Sequence, residues 1–132
     1  MEKWIEVFKN IIPNDIYTVE IKSGEEVGII VNLESIRHLV NLDFGAVTAY
    51  RMIDEGVILQ GLFDELEVEK YKQDSFANKI YKIENGQFGQ SIKKIYGELY
   101  DILGCEHYVI ITMNYVIEIV SQWEPELEVV SK

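Results

Sequence analysis

The fold of the chain is decided by residues 108–120, which read YVIITMNYVIEIV. Two runs of β-branched and aromatic residues flank Asn114-Tyr115, which is the pattern of two strands joined by a turn. A third strand-like run, residues 127–130, follows the polar segment 122–126. This region therefore predicts a C-terminal meander of three antiparallel strands.

The strongest helical pattern lies directly upstream, in residues 88–103. Its apolar residues recur at steps of three and four positions, the spacing of one face of a helix. They are Phe88, Ile92, Ile95, Tyr96, Leu99, Tyr100 and Leu103. Gly104 follows the last of them, where glycine commonly ends a helix. We expect a long amphipathic helix whose apolar face packs on the sheet.

The N-terminal half is predicted to contain one helix and two hairpins. Apolar residues at helical spacing in residues 2–12 predict an N-terminal helix with Trp4 on its buried face. Residues 16–31 form two β-rich runs around a Ser-Gly-Glu-Glu turn, as a hairpin does. The runs 46–53 and 57–63 flank an Asp-Glu-Gly turn and predict a second hairpin.

Three further segments complete the chain. Residues 32–41 fit either a short helix capped by Asn32 or an irregular segment. Residues 64–78 fit a strand and a helix equally well, so their structure stays open. Residues 79–83 predict a strand that is closed by a turn at Asn-Gly, a pair that tolerates positive φ.

Together these elements predict a single α+β domain over residues 1–132. A chain of this length can bury one core but not two independent ones. The 48% apolar content and the aromatic residues (2 Trp, 8 Tyr and 5 Phe) exclude intrinsic disorder. The predicted architecture is an antiparallel sheet, built from hairpins and the meander, with both helices packed on it.

Several classes of protein are excluded by composition. The apolar runs are far shorter than the ~20 residues of a membrane-spanning helix. The N-terminus lacks the basic and apolar regions of a signal peptide, so we expect a cytoplasmic protein. One cysteine forms no intrachain disulfide, and the two histidines lack metal-ligand spacing. We therefore expect no metal and no cofactor.

The net charge of −11 is distributed unevenly along the chain. Residues 1–69 carry 5 basic and 14 acidic side chains. Residues 95–132 carry 1 basic and 7 acidic side chains. Residues 70–94 reverse this pattern, with six lysines against Asp74 and Glu84. The acidic segments repel phosphate backbones, so no nucleic-acid binding and no membrane binding are expected. The basic segment could bind an anion if the fold gathers its lysines, although solvated surface charge usually has no partner.

One candidate anion site lies in this basic segment. Gly86 and Gly89 bracket a turn at the start of the predicted helix, and Lys93 and Lys94 follow. Backbone N–H groups at a helix N-terminus attract anions, and glycine permits close approach. The alternative is that the glycines only form the turn while a neighbouring Gln or Ser caps the helix.

No catalytic constellation stands out, so the chain is not expected to be an enzyme. Cys105 and His107 would share one face of a strand, but neighbours of this kind rarely direct their side chains at each other. The simpler interpretation is a buried thiol beside a half-exposed imidazole. Carboxylates are abundant, and nothing in the sequence distinguishes one pair as an acid–base couple.

The loop around Trp123 is the strongest candidate for a partner-binding site. Glu124 and Glu126 flank the indole, and Asp54 and Glu55 form a second exposed acidic turn. Tryptophan often anchors protein interfaces, and acidic side chains around it would steer a basic partner. The alternative is that Trp123 folds back to cover the core.

The resulting hypothesis is a small acidic binding protein that neutralises or regulates a basic protein partner, such as a toxin or a nuclease. Immunity proteins and nuclease inhibitors act in this way, by placing carboxylates where the phosphates of a polyanionic substrate would lie. The alternative hypothesis is a regulatory domain that binds a small ligand or an anion through residues 70–94.

Overall fold

The computed structural model describes residues 1–56 and 61–132 and shows a mixed α+β fold. These ranges contain nine strands and three helices. The strands are β1 (Lys3–Glu6), β2 (Thr18–Gly24), β3 (Gly28–Glu34), β4 (His38–Gly45), β5 (Ala49–Asp54), β6 (Ile80–Glu84), β7 (Glu106–Ile111), β8 (Tyr115–Ser121) and β9 (Glu126–Ser131). The helices are α1 (Glu65–Lys72), α2 (Gln87–Tyr96) and α3 (Leu99–Ile102).

The strands form two antiparallel sheets. The central sheet has the order β1-β6-β7-β8-β5, and the outer sheet has the order β2-β3-β4-β9. One core lies between the two sheets and contains apolar side chains from both, among them Leu33, Leu42, Phe44, Tyr108 and Ile117. A second core covers the other face of the central sheet, where Phe63 and Val68 pack on it from the region of α1. The layers therefore run helices, central sheet, outer sheet.

The predicted N-terminal helix is wrong, because the segment forms strand β1. Trp4 pairs with Ile83 on β6, and its side chain is 2% exposed, so its predicted burial is confirmed. Phe8 and Asn10 have φ values of 53° and 66°, which no right-handed helix contains. Pairing with β6 provides backbone hydrogen bonds and an aromatic pocket, and these outweigh a helical pattern only eleven residues long.

The first predicted hairpin is confirmed, and a second one follows it. β2 and β3 pair from Thr18 opposite Glu34 to Gly24 opposite Gly28. Residues 32–41 are neither a helix nor irregular, because β3 turns at Ser35 directly into β4. The Ser35 hydroxyl accepts a hydrogen bond from the backbone N–H of His38 at 2.9 Å and stabilises this turn.

The hairpin predicted for 46–53 and 57–63 is not found in the described residues. β5 pairs with β8, residues 57–60 lie outside the described residues, and residues 61–63 are not a strand. The open segment 64–78 contains α1, whose first turn is capped by the Asp64 carboxylate. The strand predicted at 79–83 is confirmed as β6.

The long helix predicted for 88–103 is interrupted at Gly97, where φ is 66°. α2 precedes the break and α3 follows it. The predicted apolar face does not turn toward the core as a whole: Ile95 is 84% exposed, and Leu99 and Leu103 are also exposed. The residues of α2 that meet the central sheet are Phe88 and Gly89, which cover charged side chains described below.

The C-terminal meander is replaced by a crossover. β7 and β8 pair as predicted, but β9 leaves the central sheet and pairs with β4, from His38 opposite Ser131 to Asp43 opposite Glu126. The buried Pro125 lies just before this new strand. Leu127 and Val129 thereby pack against the core between the sheets.

Candidate functional site

The outward surface of the outer sheet is the strongest candidate site. Ile29, Val31 and Leu33 of β3 point into the core, so the residues between them point outward. Strand register then fixes the outward neighbours in three rows of four. The rows are Thr18, Glu34, Leu39 and Val130; Glu20, Asn32, Asn41 and Glu128; and Lys22, Ile30, Asp43 and Glu126. We call these twelve residues the acidic face.

The acidic face carries five carboxylates and one lysine. The carboxylates belong to Glu20, Glu34, Asp43, Glu126 and Glu128. In the middle row, the Asn41 amide donates a hydrogen bond to Asn32 Oδ1 at 2.7 Å, so the centre of the face is neutral. The carboxylates therefore surround a neutral centre, and that of Glu34 is paired with Lys132.

The first two rows of this surface line a concave groove of about 560 Å³. The middle row crosses three gaps between neighbouring strands, from Glu20 on one edge to Glu128 on the other. At about 4.8 Å per gap, the two edges are about 14 Å apart. An α-helix with its side chains is about 10–12 Å wide. The groove thus has the width of one helix, with a carboxylate on each side of it.

Trp123 lies at one end of the acidic face and is 53% exposed. It does not cover the core, and its backbone N–H donates to Ser121 Oγ at 3.0 Å. A second concavity, of about 420 Å³, is shared by Trp123, Glu124, Asp43 and Glu126. Because the last two residues belong to the third row of the acidic face, the indole adjoins that face next to the two rows that line the groove.

This geometry predicts that caesium ions quench the fluorescence of Trp123 more efficiently than iodide does. The carboxylates around the indole attract cations and repel anions, and potentials of this kind change local ion concentrations several-fold. Stern–Volmer constants, each divided by the value for N-acetyltryptophanamide, measure the effect. The buried Trp4 should resist both ions in a Trp123→Phe control. A normalised iodide constant equal to that of caesium would contradict the prediction.

The structure does not bring Asp54 and Glu55 to this surface. Asp54 pairs with Tyr115 at one end of β8, whereas Trp123 follows the other end of that strand. At about 3.4 Å per residue, the length of β8 separates the two sites by about 20 Å. Asp54 Oδ1 accepts a hydrogen bond from the N–H of Gly56 at 2.8 Å and thus stabilises its own turn.

The glycines of the candidate anion site make room for a histidine. A Cβ atom on Gly86 would lie 2.8 Å from His107 Nδ1, and one on Gly89 would lie 2.9 Å from the same atom. In the described residues the start of α2 has no side-chain cap, because its N-cap residue is Gly86, and the Ser91 hydroxyl donates to the carbonyl of Phe88. The two glycines therefore permit close packing of α2 on the central sheet.

The lysines of residues 70–94 are not gathered into one surface. Lys70 forms an ion pair with Glu67 on its own helix, and Lys93 Nζ lies 3.4 Å from Asp101 Oδ2. Lys82 Nζ lies 5.8 Å from the ring of Tyr108, on the side of the central sheet opposite α2. Burial raises the pKa of the Tyr108 hydroxyl, so this ring stays uncharged.

A buried charged cluster beneath α2 was not predicted. Glu118 is 0% exposed, and its Oε1 lies 2.8 Å from His107 Nε2. Its Oε2 accepts a hydrogen bond from Arg51 Nε at 2.5 Å. The Arg51 guanidinium lies 4.4 Å from the ring centre of Phe88, which covers the cluster. The signal that could have revealed it is a glutamate inside an apolar strand, since a buried charge requires partners.

The cluster corrects the interpretation of His107, which is buried rather than half-exposed. Cys105 is buried as expected, and its Sγ lies 3.8 Å from the hydroxyl of Thr48. His107 Nδ1 and Arg51 Nη2 have no hydrogen-bond partner in the described residues. Because the Nε2 of His107 faces a carboxylate, this nitrogen is the one that donates the hydrogen bond.

No family model matches the chain, and no curated protein and no solved structure is detectably similar to it. Within residues 1–56 and 61–132, no three His, Cys, Asp or Glu side chains are grouped as metal ligands are. Every helix in the same part of the chain is too short or too polar to cross a membrane.

Proposed function

We propose that the protein binds and neutralises a basic protein partner through the acidic face and Trp123. The observation that carries this proposal is the position of the exposed indole beside Asp43 and Glu126, whose row of the acidic face borders the two rows that line the groove. A partner whose own substrate is a polyanion, such as a nuclease or a toxin, has a cationic surface of the required kind. Occupation of that surface by carboxylates would exclude the substrate.

The shape of the acidic face favours a basic helix as the bound element. Such a helix fits between Glu20 and Glu128 and can direct lysine or arginine side chains to both flanks. Leu39 and Val130, which lie side by side and are exposed, provide apolar contact at one end of the groove. Trp123 provides a large aromatic anchor near the opposite end of the acidic face. Protein interfaces often obtain most of their binding energy from a few residues of this kind.

The test is association with a basic helical partner before and after charge reversal on the acidic face. The probes are a Lys/Arg-rich helical peptide and a panel of basic nuclease domains. Glu20→Lys combined with Glu128→Lys should slow association about tenfold, because electrostatic steering acts mainly on the association rate. The association rate of the unaltered protein should also fall steeply as salt is raised.

The matched control is Glu65→Lys combined with Glu69→Lys on α1. Both glutamates are exposed, and the net charge changes by the same amount as in the first pair of substitutions. We expect the control to bind nearly as fast as the unaltered protein. Equal losses in the two double variants would show that only net charge matters and would overturn the acidic face as the binding site.

The alternative anion-binding function gains no specific support from the described residues. The glycines at the start of α2 contact His107, and Lys93 is paired with Asp101. The alternative stays a prediction from the sequence, and thermal unfolding with phosphorylated metabolites would test it, because a ligand of the native state stabilises it.

A further inference from the structure

A pocket at one end of the sandwich contains a lysine whose side chain has no partner among the described residues. The pocket has a volume of about 270 Å³ and is formed by the segment before β2, the segment before β6 and the turn between β7 and β8. Its walls include the apolar side chains of Ile16, Phe76, Ile111 and Met113. The charged residues that line it are Asp15, Glu55 and Lys79. It is separate from the acidic face, which the outer strands form.

Lys79 is 8% exposed and makes no ion pair or side-chain hydrogen bond in the described ranges. Burial lowers the pKa of its amine, while the more distant charges of Asp15 and Asp74 act in the opposite direction. The amine nitrogen is not fully buried, so a ligand in the pocket can reach it. A ligand carboxylate would form a charge-assisted hydrogen bond with it in this partly shielded site.

Of the two acids in the pocket, only Glu55 is available to a ligand. Asp15 Oδ2 lies 3.3 Å from His38 Nδ1 and 3.6 Å from Arg37 Nε, so its charge is already balanced. The exposed Glu55 makes no ion pair in residues 1–56 and 61–132, and only its backbone is bonded, to Asn114. Within the part of the chain that the structure describes, the pocket thus presents one unpaired cation, one unpaired anion and apolar walls.

We propose that this pocket binds a free apolar α-amino acid of the size of leucine or methionine. The ligand carboxylate pairs with Lys79, its ammonium group pairs with Glu55, and its side chain lies against Phe76 and Met113. The pocket volume equals that of about nine liquid waters, which suits a ligand of about ten non-hydrogen atoms. This inference goes beyond the proposed function and does not depend on it.

The test is calorimetric titration of the protein with leucine, methionine, leucinamide and 4-methylpentanoate. The two amino acids should bind in the millimolar range or tighter. Leucinamide lacks the carboxylate and 4-methylpentanoate lacks the ammonium group, so each should bind at least about tenfold more weakly. Absence of binding by both amino acids at millimolar concentration would overturn the proposal, as would equal affinity for all four compounds.

Two variants test whether Lys79 binds the carboxylate of the ligand and Glu55 its ammonium group. Lys79→Met keeps the length of the side chain and removes its charge, and it should weaken leucine binding at least about tenfold. Glu55→Gln changes an exposed residue, so the fold should persist; it should weaken leucine binding and leave 4-methylpentanoate binding unchanged. Lys72→Met, on the exposed surface of α1, is the control and should bind leucine normally. Normal leucine binding by Lys79→Met or by Glu55→Gln would contradict the assignment.

Discussion

Glu118→Ala is expected to lower the free energy of unfolding by about 3–5 kcal/mol, because it leaves the half-buried Arg51 and the buried His107 without the carboxylate they share. Both carboxylate oxygens are used, one by His107 and one by Arg51. The space left by the side chain also lies in a layer that water does not reach. Urea unfolding at neutral pH, followed by circular dichroism, measures the change.

Two further variants separate the charge of Glu118 from its packing. Glu118→Gln keeps the shape and part of the hydrogen bonding, so its loss should be smaller. Replacing Glu118, His107 and Arg51 together by leucine or methionine should restore most of the stability, since apolar side chains of similar volume often replace buried ion pairs at little cost. A loss below about 1 kcal/mol for Glu118→Ala would contradict a buried, coupled cluster.

In a separate variant, Trp4→Ala is expected to lower the free energy of unfolding by about 3–5 kcal/mol. The indole contacts three aromatic rings: Phe63 at 5.3 Å between ring centres, Tyr81 at 5.2 Å and Tyr71 at 6.3 Å. Its Nε1–H donates to Glu2 Oε2 at 2.9 Å. Truncation would leave a cavity that these stiff rings cannot fill, and thermal or urea unfolding would report it.

The matched control for this prediction is Trp123→Ala. Removal of this exposed side chain should change stability by no more than about 0.5 kcal/mol. It should nevertheless weaken binding of the basic partner, because the same substitution removes the anchor at the end of the groove. We therefore expect Trp4 to contribute mainly to stability and Trp123 mainly to binding. Similar unfolding losses in both variants would be inconsistent with the burial seen for Trp4.

The parts of the fold that could be predicted from the sequence are those determined by local pattern. The hairpin in 16–31 has both of its strands and its turn within sixteen residues. The segment of β1 was predicted as a helix, and β9 was predicted as a strand but assigned the wrong neighbour. In each case the partner strand is distant in sequence, β6 for β1 and β4 for β9. Tertiary pairing outweighs local periodicity in such segments.

The candidate site was likewise predictable only where it depends on a local sequence pattern. Trp123, Glu124 and Glu126 were recognisable from the sequence, because an indole between acidic turn residues is a local pattern. The groove could not be recognised, since Glu20 and Glu128 become neighbours of one surface only through the register of four strands. The apolar pattern of residues 88–103 predicted one long helix, whereas the structure breaks it at Gly97. The pattern also gave no sign that Phe88 packs over the guanidinium of Arg51.

The crossover of β9 has a consequence for the order of folding. His38 pairs with Ser131, roughly 90 residues away along the chain, and contacts of such long range form slowly. β9 supplies two of the five carboxylates of the acidic face, Glu126 and Glu128. The proposed binding surface is therefore incomplete until β9 pairs with β4, so we expect a molecule in which β9 is undocked to bind a basic partner only weakly.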